Sequence, residues 1–165
     1  MEELKEEQFK CIKEDNSGEE DEKQWERSKI VFDHFYDYLT KDKGLKESTA
    51  RKRTEMAGFF VMNYLFVYDD AMSILEVCGD TIRTFLGNWY IRKMWNLSIS
   101  QMKSFLRALS NFFTFLSQRG FMDKEELNEI KKVCRDTAWF EMRLKTYFEA
   151  DEDEFSEWLE EYNYD

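Results

Sequence analysis

Apolar residues recur along this chain at intervals of three and four, the spacing that gathers them on one side of an α-helix. The clearest run lies between Ser98 and Gly120, where Met102, Phe105, Leu109, Phe112, Phe113 and Leu116 form one stripe. Ser98-x-x-Gln101 ahead of it is a capping-box pattern and Gly120 behind it is a helix stop. The same spacing predicts a first helix from about residue 22 to 41, with Trp25, Val31 or Phe32, Phe35 and Leu39 on one side and a stop near Gly44. A second starts around residues 46 to 49 and runs to about 67, burying Met56, Phe60 and Tyr64. A third opens with Asp80 as N-cap and carries Ile82, Phe85, Leu86, Trp89 and Tyr90. The Ser98 helix is the fourth. A fifth opens with Asp123-x-x-Glu126, carries Leu127, Ile130, Val133 or Cys134, Phe140 and Leu144, and continues to about residue 148. In the tail, Phe155, Trp158, Leu159 and Tyr162 fall at i, i+3, i+4 and i+7 behind acids suited to a helix N-terminus, which makes a sixth. The expected fold is all-α, a compact bundle of about five to six helices joined by short loops.

Composition supports that reading and narrows it. Proline is absent and only 6 glycines occur in 165 residues, so the turns of an all-β fold have little to be built from. The length suits one domain, and 42% hydrophobic with 17% aromatic residues provides a sizeable core. Cys11, Cys78 and Cys134 are odd in number and lack a CxxC spacing, which points to a reduced chain. The opening MEELKEEQFK has no apolar stretch of a signal peptide, and the apolar run from Gly58 to Tyr68 is about half the roughly 20 residues that span a bilayer. A cytoplasmic protein without a membrane partner is expected.

Charge changes the picture more. The net charge is −11, which by itself argues against a nucleic-acid partner. By segment, however, residues 1–26 hold 11 acids and 4 bases, residues 27–148 hold 15 acids and 20 bases, and residues 149–165 hold 9 acids and no base. Residues 81–122 contain no Asp or Glu at all. The expected organisation is an acidic N-terminal extension over residues 1–24, a helical domain over 25–148 and an acidic C-terminal helix and tail over 149–165. Residues 13–24 lack an apolar face and are expected to be mobile or weakly helical. The tail stripe is expected to dock on the chain's own core, with a partner's groove as the alternative.

The polar side of the fourth helix runs Lys103, Arg107, Ser110 or Asn111, Thr114 and Gln118. A solvated face ordinarily mixes Glu with Lys, because such pairs stabilise a helix. Donors without carboxylates are what a phosphate-facing surface requires.

The second predicted helix opens Gly44-Leu45-Lys46-Glu47-Ser48-Thr49, and the fourth runs from Asn96-Leu97-Ser98-Ile99-Ser100-Gln101 through Ala108-Leu109, Phe112-Phe113 and Phe115-Leu116 to Gly120. This pairing resembles the SAM-like core-binding domain of phage integrases and other tyrosine recombinases over about residues 28–122. The resemblance implies a helical bundle that forms one jaw of a clamp on DNA, with these two helices against the duplex. It implies DNA contacts at Lys46, Thr49, Arg51, Lys52, Arg53, Ser98, Gln101, Lys103 and Arg107; the acid-free window adds Arg92 and Lys93, and the fourth helix's polar face adds Asn111. Lys46 stands where the family pattern has Ser, and the chain continues past Gly120 as helix where integrases run through a proline-containing linker into a catalytic domain.

No catalytic constellation is legible. His34 is the single histidine, the carboxylate clusters lack the spacing and glycine of a calcium loop, and no phosphate-binding loop, nucleophile elbow or HExxH occurs. Neither an enzyme nor a cofactor or metal is expected. Tyr162 and Tyr164 lie among carboxylates, which repel a scissile phosphate. Two functions follow as expectations: a non-enzymatic module binding duplex DNA through its second and fourth helices, with acidic ends moderating affinity; or a protein-interaction module using the bundle and its acidic tail.

Overall fold

Helix α1 (Glu19–Asp37) runs without interruption into a π-helical turn, Tyr38–Asp42, and ends where Gly44 takes φ +65°, a left-handed conformation that glycine adopts without steric cost. The computed structural model describes residues 1–12, 19–68 and 73–161. Helix α2 (Glu47–Phe59) passes through a second π turn, Phe60–Leu65, into α3 (Phe66–Tyr68). A third rod joins α4 (Gly79–Thr84), a π turn at Phe85–Trp89 and α5 (Tyr90–Lys93). Then follow α6 (Ile99–Gln118), α7 (Lys124–Arg135), α8 (Thr137–Glu149) and α9 (Glu152–Glu160). Among the described residues there is no strand beyond an isolated Lys10–Ser73 bridge, and no helix is long and apolar enough to cross a membrane. The fold is all-α, a compact helical bundle.

Helix α6 is its axis. The expected capping box is present, with Ser98 N donating to Gln101 Oε1 at 2.9 Å and Gln101 N to Ser98 Oγ at 3.2 Å, and Gly120 ends the helix at φ +83°. All six residues of its stripe are buried, together with Leu106, Ala108 and Phe115. Rings interlock around it: Phe112 lies 5.1 Å from Phe35, and Phe105 lies 4.8 Å from Tyr90 and 5.7 Å from Phe85. Phe85 in turn meets Phe60 and Tyr64, each at 4.9 Å. Such edge and tilted pairs add to the stabilisation from buried area.

The third rod buries every residue from Phe85 to Ile91. A 3.6-residue repeat buries one stripe only; the π turn inserts an extra residue and rotates the following turn, so two faces are covered in succession. Gly87 sits in this turn because Trp139 of α8 closes on it: a Cβ there would lie 2.5 Å from the Trp139 ring. Gly87→Ala is therefore expected to cost about 1–3 kcal/mol in urea unfolding, whereas Gly44→Ala, with nothing within 4 Å, strains only the backbone.

Several expectations need correction. Trp25, expected in the core, is 54% exposed, because α1 presents Gln24 and Ser28 inward instead. Gln24 Nε2 donates to Ser28 Oγ at 3.0 Å while Gln24 Oε1 accepts from Ile12 N at 2.6 Å, so this buried polar pair is satisfied. Asp80 is in the first turn of α4 and Cys78 is its N-cap. The fifth predicted helix is two: Asp136 (φ −79°, ψ 57°) breaks it, and its carboxylate is held by Arg83 Nη2 at 2.9 Å. Residues Glu19–Gln24, expected to be mobile or weakly helical, belong to α1, and residues 13–18 of that stretch lie outside the described residues. Phe9, in the segment set apart as an acidic extension, is fully buried and meets the Phe121 ring at 4.7 Å.

The tail docks on the chain's own core. Trp158 of α9 is buried; Tyr162, the last member of the predicted stripe, and Tyr164 lie outside the described residues. Its seat is built on Arg143 of α8, which is 0% exposed. Arg143 Nε donates to Gly87 O and Nη2 to Trp158 O, each at 3.0 Å, Nη1 meets Glu161 at 3.0 Å, and the Trp158 ring lies 3.8 Å from the guanidinium. Trp158 Nε1 returns a bond to Arg143 O at 3.1 Å.

Candidate functional site

Helices α2 and α6 pack side by side, and their polar residues face the corner where α7 turns into α8. A hollow of about 490 Å³ opens there, lined by Arg53 from α2, by Lys103, Arg107, Ser110 and Asn111 from α6, and by Arg135 and Thr137 from the corner, over a floor of Leu106 and Cys134. A second hollow of about 380 Å³ continues it along α2, lined by Ser48, Thr49, Lys52, Arg53, Met56, Ser104 and Arg107. The two share Arg53 and Arg107 and make one trough. No carboxylate among the described residues lines either part.

Within the trough the cations are unequally compensated. Lys103 Nζ pairs with Glu141 of α8 at 2.7 Å, so the carboxylate that the α6 sequence lacks is supplied by another helix. Arg53 is half-buried, and its Nη1 donates to Asn111 Oδ1 at 2.6 Å, a neutral partner that orients the guanidinium without cancelling its charge. Burial, and then the neighbouring Arg107 charge, pull the Arg53 guanidinium below its ordinary pKa. Arg107, Arg135 and Lys52 make no ion pair among the described residues. Arg53 and Arg107 are thus held side by side where the two hollows meet, with no carboxylate in the lining between them.

Of the residues expected at a site, the fold brings together Thr49, Lys52, Arg53, Lys103, Arg107 and Asn111. It does not bring the others. Ser98 and Gln101 are spent on the α6 capping box. Lys46 is the exposed N-cap of α2, and Arg51, also exposed, lines neither hollow. Arg92 Nε donates to Asn88 Oδ1 at 2.7 Å at the far end of α5, beside exposed Lys93. Sequence reasoning missed Ser48, Ser104, Arg135 and Thr137. Ser48 and Ser104 stood in the pattern, one turn from Lys52 and Arg107 respectively; Arg135 and Thr137 had no local signal, because only the break at Asp136 carries them to α6.

Cys134 forms part of the floor. Burial pushes its thiol up to about 12 from 9.0, so it remains protonated. The neutral thiol is the form the fold favours. Its contribution to stability is full below pH 9.0 and is lost as pH rises through about 12. Cys134→Ala is expected to flatten the fall of the urea midpoint over that alkaline range. Among the described residues no group of His, Cys, Asp and Glu is arranged to hold a metal ion. No protein-family profile, curated protein or solved structure matches the chain.

Proposed function

We propose that this chain is a non-enzymatic module that holds duplex DNA by its phosphate backbone, in the trough between α2, α6 and the α7–α8 corner. The observation that carries the reading is the convergence of Arg53, Lys103, Arg107 and Arg135 on one concave surface without a lining carboxylate, in a chain of net charge −11. Phosphate oxygens are bound by guanidinium, ammonium, hydroxyl and amide donors, and the trough offers all four. The resemblance to the integrase core-binding domain supports the same two helices, since α2 and α6 contain the segments that carry it. In this reading the bundle is of the SAM-like type and acts as one jaw on the duplex. The acids of α9 lower affinity for a polyanion by long-range repulsion.

Fluorescence anisotropy with a labelled mixed-sequence duplex tests this. Four backbone contacts give a slope of about −3.6 in log K against log salt, so affinity is expected to fall about a hundredfold between about 50 and 200 mM salt. Absence of binding at the lower salt, or binding insensitive to salt, would sink the proposal.

A further inference from the structure

A second groove, of about 430 Å³, lies between α1 and α2 on residues that the trough does not use. Its walls are Trp25, Phe32, Phe59 and Met62, and Trp25 is 54% exposed although a tryptophan of this kind is ordinarily well buried. Its floor is opened by Gly58. Glycine is the poorest helix former apart from proline, and it ordinarily earns such a position by a positive φ or a close backbone approach. Gly58 has neither: a Cβ there would meet nothing nearer than the Phe32 ring, at 3.8 Å. What the missing side chain leaves is depth in an apolar groove.

The groove's border is acidic. Lys29 is neutralised by Asp33 at 2.5 Å, while Glu55 on the α2 wall is exposed and unpaired among the described residues. Asp21 and Glu22, also exposed and unpaired, stand four and three residues before Trp25, so they edge the same side of α1. Arg51, one turn before Glu55, forms no ion pair with it. We infer that this groove docks a cationic amphipathic helix of a protein partner, apolar side down on Trp25, Phe59 and Met62 and basic residues toward the N-terminal end of α1. The acidic border repels a nucleic acid, and a net charge of −11 opposes a second copy of this chain as occupant.

The test is anisotropy of a labelled Leu/Lys amphipathic peptide of about 14 residues, with its Leu/Glu counterpart, at about 150 mM salt. The chain of residues 1–165 is expected to bind the first and not the second. Gly58→Leu projects a side chain into the groove from a position with room for its Cβ; it is expected to keep or raise the thermal midpoint and to lower peptide affinity at least about tenfold. Trp25→Ser removes one wall from outside the core and is expected to weaken binding in the same way. Lack of binding by the wild-type chain, equal binding of the Leu/Glu peptide, or both variants within twofold of wild type would overturn the inference; the last would place the peptide on the acidic ends. DNA binding by Gly58→Leu is expected to match wild type, so this inference and the trough fail separately.

Discussion

Arg143→Met is expected to destabilise the protein by about 3–5 kcal/mol, a cost on the scale of truncating a core aromatic. Methionine keeps part of the stem's packing, so the loss is mainly of hydrogen bonds. The Gly87 and Trp158 carbonyls each lose a charged donor at 3.0 Å in a place closed to water. Glu161 contributes less to the loss, since its side chain is 57% exposed and is resolvated. The Trp158 ring also loses the cation stacked at 3.8 Å. Because Arg143 is the point where the π turn, α8 and α9 meet, the consequence is local before it is global: α9 undocks. Urea unfolding measures the total, and limited proteolysis after Ala150 measures the undocking. Arg143→Lys retains charge but not the planar fork, and is expected between wild type and methionine. A loss under about 1 kcal/mol for methionine would mean that the buried guanidinium is not what seats the tail.

Arg143 also shows where reading the sequence ends. Met142-Arg143-Leu144-Lys145 looks like the polar edge of an amphipathic helix, and arginine is ordinarily outside. Nothing local says that two carbonyls distant in sequence will surround it. The same limit appears at Trp25, where helical register alone places an aromatic in the core while Gln24 and Ser28 take the inward positions through a hydrogen bond that hydropathy does not record. By contrast, α6 was legible end to end, because a capping box, a single apolar stripe and a terminal glycine state the same helix in three independent ways. The break at Asp136 was not, since the partner that holds its carboxylate, Arg83, lies more than fifty residues earlier in the chain. The site divides along the same line: the α2 and α6 walls follow from residues spaced a turn apart, and the third wall depends on how α7 meets α8.

Exchanging Arg107 separates the two roles that a cation in the trough can have. Arg53 is pulled below its ordinary pKa by burial and by Arg107, so as a cation it is less favoured in the fold than in the unfolded chain. Removing Arg107 relieves part of that penalty. Arg107→Gln is therefore expected to leave the thermal midpoint unchanged or higher, while DNA affinity at low salt falls about five- to tenfold and the salt slope flattens by about one. Arg107→Glu doubles the change in charge at the point where the two hollows meet and is expected to cost about a hundredfold in affinity. A merely structural arginine would give the reverse, a lower midpoint and unaltered binding. Opposite signs in stability and affinity would support the trough as the binding site, because Arg53 and Arg107 repel each other in the free protein and an anion placed between them would relieve that repulsion.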